Sequence, residues 1–254
     1  MICPTGPARI EKESVVTAPE HTKTIRDFAS ARLTRRGFLV GSSALLLAGC
    51  QTTSSRAPRV QADLRKDPYY LAMYGPMPEE KFPIPAVDLN KVSDDRFLRQ
   101  VVPYTGPEPA GTIVVDPAER FLYLVRGDGN AMRYGVGVGR AGFGWAGNAR
   151  VQYKRQWPRW TPPADMIKRR PELEKYRYGM EPGLGNPLGA RALYLFDNGV
   201  DTLYRIHGTN EDWSIGRNVS SGCIRLFNQD IIDLYNRVPD GSPVIVRSAP
   251  ATTV

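Results

Sequence analysis

The chain has 254 residues, 41% of them hydrophobic, which is enough to bury a sizeable core and excludes disorder throughout. Its formal charge is +8, yet residues 50–254 carry 27 basic against 22 acidic side chains, a modest excess that suits an anionic polymer, a membrane surface or an ordinary basic exterior. No dense basic run with interleaved aromatics is present, so a nucleic-acid partner is not expected.

The first 49 residues read as an export leader. Arg35-Arg36 with Phe38-Leu39 resembles a twin-arginine signal, and Val40 to Leu47 is an apolar run too short for a membrane span of about 20 residues. Leu47-Ala48-Gly49-Cys50 resembles a lipobox, which makes Cys50 the expected lipidation site. Gln51 follows it, not the aspartate of an inner-membrane retention signal, so the expected location is the periplasm, anchored to the outer rather than the inner membrane. Residues 50–60 are polar and aperiodic and read as a tether. Residues 61–110, rich in proline and aromatics, read as a segment wrapping over a domain.

From Gly111 the pattern changes to short apolar runs separated by turn residues. With 24 glycines, 22 prolines and 12 tyrosines, this predicts a mainly β fold (β-rich α+β) with short helices. The expected strands are Thr112–Val115, Phe121–Val125, Met132–Val138, Val151–Lys154, Ala192–Phe196, Leu203–Ile206 and Pro243–Val246, the first three being antiparallel neighbours. Pro163 to Tyr176 predicts one or two short helices broken at Pro171. A clearer helix is expected over Asn228–Val238, with Asn228 or Gln229 at its cap and its apolar face packed behind the cysteine loop. One domain, 111–248, and a short tail, 249–254, complete the chain.

His207 and Cys223 stand at the two ends of a glycine-punctuated loop. His207 is the only histidine outside the leader, and Cys223 is the only cysteine expected to keep a free thiol. A thiol is nucleophilic as its thiolate, and an imidazole nearby can take its proton. The pair therefore predicts cysteine acyl transfer, with a lowered thiol pKa. Gly222 permits a tight turn, and N–H groups around Cys223 can form an oxyanion hole. No aspartate is obviously placed to orient His207, so a backbone carbonyl in Ser220 to Gly222 is the expected partner. One cysteine and one histidine fall short of a structural zinc site, and no metal or cofactor is expected.

His207-Gly208-Thr209, Ser214-Ile215-Gly216 and Ser220-Ser221-Gly222-Cys223-Ile224-Arg225 together resemble the signature of the L,D-transpeptidase catalytic domain. Gly135 to Arg140, Trp157 to Pro163 and Asn186 to Gly189 resemble its supporting motifs, and the resemblance covers about 111–248. It implies a mixed β-sheet sandwich or barrel and an enzyme that acts on peptidoglycan stems. Cys223 would attack the bond between meso-diaminopimelate and D-alanine, with His207 as base and Ser220 and Gly222 completing the catalytic loop. Arg225 would hold a stem carboxylate, and Tyr204, Thr209 and Ser221 would join it in binding substrate. The acyl group would pass to an amine, giving a 3-3 cross-link or attaching an outer-membrane lipoprotein. A hydrolytic carboxypeptidase, or an inactive wall-binding lipoprotein, is the alternative. Ser221 stands where many members carry a second histidine, and Arg225 where asparagine is common.

Overall fold

A computed structural model describes residues 63–140, 145–220 and 222–248. The twin-arginine and lipobox segment with Cys50, Ser221 and the tail lie outside the described residues.

In chain order the elements are α1 (Pro68–Met73), β1 (Gln100–Pro103), β2 (Ile113–Asp116), β3 (Phe121–Val125), β4 (Asn130–Gly135), β5 (Val138–Gly139), β6 (Gly147–Gln156), α2 (Ala164–Arg169), β7 (Arg191–Asp197), β8 (Val200–His207), β9 (Asn218–Ser220), β10 (Ile224–Arg225), α3 (Asn228–Arg237) and β11 (Pro243–Val246). Nine strands form one sheet in the order β1-β4-β3-β2-β11-β6-β7-β8-β10, and β5 pairs with β9 in a second, two-stranded sheet. The architecture is mainly β, as the short apolar runs predict. β2, β3 and β4 are antiparallel neighbours. The parallel pairs β2–β11 and β8–β10 make the large sheet mixed.

Local chemistry explains most boundaries. β2 is apolar at Ile113, Val114 and Val115 and all three are buried, because this central strand is covered on both faces. The expected strand Met132–Val138 instead breaks after Gly135. A Cβ at Gly135 would collide with the Phe97 carbonyl, and at Gly137 the chain leaves β3 to form an isolated bridge with Arg225 of β10. α2 stops before Pro171 and a 3-10 turn, Pro171–Tyr176, follows it.

α3 packs against β7, and its Ile231 and Leu234 share a core with Ile206, Ile224 and Leu226 around the cysteine loop. Its capping differs from expectation. The cap position is Phe227 and makes no side-chain hydrogen bond. Asn228 is drawn away from capping: its Oδ1 accepts from the Ala190 N–H and its Nδ2 donates to the Thr209 carbonyl, both at 2.9 Å. That side chain therefore staples the turn after His207 to the start of β7.

Residues 63–103 lie against the following strands and α3 through three sets of contacts. Tyr74, Leu89, Phe97 and Leu98 pack on Phe121, Ile215 and Phe227 in a second core. Tyr74 Oη bonds both oxygens of buried Asp230 at 3.1 and 3.0 Å, and burial pushes that carboxyl up to about 7. Glu80 accepts from the Arg191 guanidinium at 2.6 and 3.0 Å and from Trp157 Nε1 at 2.9 Å.

Candidate active site

The site is built where two parallel strands end together. Ile224 pairs with Ile206 and Arg225 with His207. Ile206 and Ile224 are both buried in the main core, so strand alternation turns Arg225, His207 and, one step back, Cys223 and Arg205 to the opposite face. The sequence-predicted nucleophile, base and anion-binding arginine thus share one face of one strand pair.

Each is held locally. The His207 Nδ1–H donates to the carbonyl of Gly208 at 2.5 Å. A carbonyl only accepts, so the neutral ring carries its lone pair on Nε2. The orienting acceptor is Gly208 rather than a carbonyl in Ser220 to Gly222, because Gly208 bends the chain back on the ring and has no room for a side chain. A Cβ there would lie 2.3 Å from Asn228 Oδ1. Ser220 instead organises the cysteine turn: its hydroxyl donates to the Cys223 carbonyl at 2.7 Å and accepts from the Gly222 N–H at 3.1 Å. Gly222 has φ 127°, a conformation that favours glycine.

Gly137 braces this turn from the other side. It exchanges both backbone hydrogen bonds with Arg225, at 2.9 and 2.8 Å, and β5 pairs with β9 just before the turn. The upstream glycine run noted in the sequence is therefore a neighbour of the cysteine loop. A Cβ at Gly137 would meet the Ser214 carbonyl at 2.6 Å.

The sulfur of Cys223, on a half-buried residue, lies 4.0 Å from the Leu203 carbonyl. Leu203 has φ 63° and sits in a bulge where β8 spends three residues, Thr202 to Tyr204, against Leu195 of β7. Thr202 Oγ1 fixes that bulge, donating to the Leu195 carbonyl at 2.7 Å and accepting from the Tyr204 N–H at 3.2 Å. Asp201 adds a bond from the Leu203 N–H at 2.8 Å and a two-pronged ion pair with Arg205 at 2.7 and 2.8 Å.

The electrostatics correct one expectation. Burial pushes the Cys223 thiol up, and the Arg205 N–H and the charges of Arg205 and Arg225 only partly oppose it. Burial, then the charge of Arg225, lowers His207 to about 4. Burial thus favours a neutral thiol and a neutral imidazole over a preformed thiolate–imidazolium.

The other predicted residues separate. Arg225 forms an ion pair with Glu211 at 2.5 Å. Tyr204 stacks on Trp145, centroids 5.7 Å apart, and is close enough to Cys223 for a thiolate there to raise its phenol pKa, after burial. Thr209 is buried, and its hydroxyl accepts from the Glu211 N–H at 3.0 Å, so it shapes the turn carrying Glu211 rather than facing substrate. Among the described residues no group of three or more His, Cys, Asp or Glu could hold a metal ion.

Arg140, Arg169, Arg170 and Trp213, which sequence reasoning did not single out as site residues, line with Glu211 a cleft of about 350 Å³ beside Ser220 and Arg225. Two of them stand in the triple-basic stretch Lys168-Arg169-Arg170, a signal that reads as a solvated helix end until the fold turns it toward the loop.

The L,D-transpeptidase catalytic domain model matches residues 110–246. The probable L,D-transpeptidase YbiS of Escherichia coli K12 is 37% identical over 144 residues, 52% of this chain and 43% of that protein. ErfK/SrfK of Salmonella typhimurium, also named a probable L,D-transpeptidase, is 37% identical over 142 residues, 54% of this chain and 44% of that protein. The chain thus spans less than half the length of these curated relatives. Among solved structures, a Brucella melitensis protein described as a probable carnitine operon oxidoreductase is 48% identical, covering 59% of this chain and 93% of that one with a TM-score of 0.43. L,D-transpeptidase 3 of Mycobacterium tuberculosis is 18% identical, covering 54% and 60%, with a TM-score of 0.41. The matched family span takes in more than half of the sequence and contains both His207 and Cys223, and this chain belongs to the L,D-transpeptidase catalytic-domain family.

Proposed function

We propose that this protein is a peptidoglycan L,D-transpeptidase in which Cys223 is the nucleophile and His207 the base. The observation that carries the reading is the strand pairing of β8 and β10, which puts Cys223, Arg225 and a histidine whose Nδ1 is held by the Gly208 carbonyl on one face. As His207 Nε2 takes the thiol proton, the sulfur bonds the diaminopimelyl carbonyl carbon. The carbon–nitrogen bond then breaks, and the imidazolium returns the proton to the departing D-alanine amine. An acceptor amine next attacks the thioester, passes a proton to His207, and leaves Cys223 as the free thiol. A backbone N–H at Cys223 would stabilise the oxyanion in both steps, the Gly222 N–H being held by Ser220 Oγ.

Incubating the purified protein with a tetrapeptide stem should release D-alanine and show one acyl adduct by intact-mass spectrometry, absent from Cys223→Ala. Meropenem should label the same sulfur. Stem processing by Cys223→Ala would overturn the assignment.

The leader motif supports a lipid anchor at Cys50 and a periplasmic location, outer membrane before inner. An anchored enzyme would reach stems and an outer-membrane lipoprotein as acceptor. Cys50→Ala should move the protein from the membrane to the soluble fraction; a soluble, unacylated wild type would refute the anchor.

A further inference from the structure

The cleft beside the nucleophile is more cationic than one carboxylate-binding arginine requires. Arg140, Arg169, Arg170 and Arg225 come from three separated chain segments and line it together, with Glu211 the only carboxylate among the described residues of the lining. Like charges brought together repel, so such a cluster needs a counter-charge. At Arg140 the carboxylates of the described residues do not meet that need. Arg225 has Glu211, and Arg170 has Glu172 at 2.8 Å on an exposed stretch. Arg140 has no carboxylate partner among the described residues, and its Nε donates to the Val219 carbonyl at 3.3 Å. Trp213, half exposed, supplies a flat apolar wall.

We propose that this cleft recognises a peptide bearing at least two carboxylates, one taken by Arg225 beside Cys223 and a second by the arginines of the α2 end and Arg140. Glu211 then acts as an internal placeholder, a protein carboxylate on Arg225 that the substrate must displace. The inference rests on the transpeptidase reading for the identity of the peptide and on the cleft alone for its charge. Carboxylate is the favoured anion because Arg170 and Arg225 already hold carboxylates in this structure.

Binding separates the two claims. In the full-length chain carrying Cys223→Ala, fluorescence anisotropy would follow a dye-labelled tetrapeptide, L-Ala-γ-D-Glu-meso-diaminopimelyl-D-Ala, and its counterpart with the glutamyl α-carboxylate as the amide. The amide should bind roughly 10-fold more weakly. Arg169→Gln/Arg170→Gln should weaken the acid peptide about as much while leaving the amide nearly unchanged, and Glu211→Gln should tighten the acid peptide. Thermal melting of each variant confirms folding. Equal binding of the two peptides, equal losses on both in the double variant, or weakened binding in Glu211→Gln would overturn the proposal. Competition by inorganic pyrophosphate at matched ionic strength as strong as that of the acid peptide would reassign the cleft to phosphate and also overturn it. D-Alanine release by wild type is read separately: its absence with charge-selective binding intact would sink the transpeptidase reading and leave the cleft assignment standing.

Discussion

His207 Nδ1 donates to the carbonyl of Gly208, the next residue in the chain, at 2.5 Å, so ring orientation is set by backbone and not by a carboxylate. A carboxylate partner would raise the imidazole pKa; a carbonyl does so weakly, and burial and Arg225 prevail, giving about 4. The base must be neutral to accept the thiol proton. Activity is therefore present above that value and lost as pH falls through it. kcat/KM should stay level as pH drops past 6.5, the ordinary histidine value, and reach half near pH 4. A midpoint at the ordinary value would mean the ring is solvated.

The thiol should be slow to alkylate. With burial holding Cys223 above its ordinary value of 9.0, iodoacetamide inactivation should rise only in the alkaline range. Fast alkylation at neutral pH that vanishes in His207→Ala would instead reveal a preformed ion pair.

Two substitutions at Arg225 should diverge. Arg225→Lys keeps the charge but loses the fork, so KM should rise about 10-fold with a smaller fall in kcat and an unmoved acid limb. Arg225→Gln also removes the charge that depresses His207, and its acid limb should move to higher pH. Steady-state profiles of both variants decide whether Arg225 acts on substrate, on the base, or on both; unchanged kinetics would make it purely structural.

Thr202 is the test of the bulge behind the sulfur. Thr202→Val removes a hydroxyl that both donates and accepts, and should cost roughly 1–3 kcal/mol in urea unfolding. It should also slow meropenem acylation, because the Leu203 carbonyl beside the thiol would shift. Thr202→Ser should restore most of both. Acylation at the wild-type rate in a destabilised Thr202→Val would confine the residue to stability.

Much of this was legible in the sequence because the signals were local. All seven expected strands correspond to strands, since each carried an apolar, β-branched or aromatic run, and Pro171 did separate two short helical turns. β1, β9 and β10 were not legible: Asn218–Ser220 and Ile224–Arg225 are too short to show a period, and they exist through their partners. Of the proposed site, His207 and Cys223 stood out by scarcity and spacing and Arg225 through the family resemblance, whereas Gly208 as acceptor from the His207 ring depended on a backbone turn that side-chain identity does not encode. The arginines at the end of α2 were missed for a related reason. Charged residues in loops look alike until the fold decides which of them face one another.

The bond from Tyr74 to Asp230 joins positions 156 residues apart, and the Glu80 clamp to Arg191 joins positions 111 apart. Closing loops of that length is slow, and the reward comes only when both ends are present. Phe97 packs under Gly216 in the loop between His207 and Cys223, leaving no room there for a side chain. The loop that aims the thiol therefore lacks its floor until the first described residues meet nearly the last. The backbone around Cys223 is therefore completed only once these distant segments have docked.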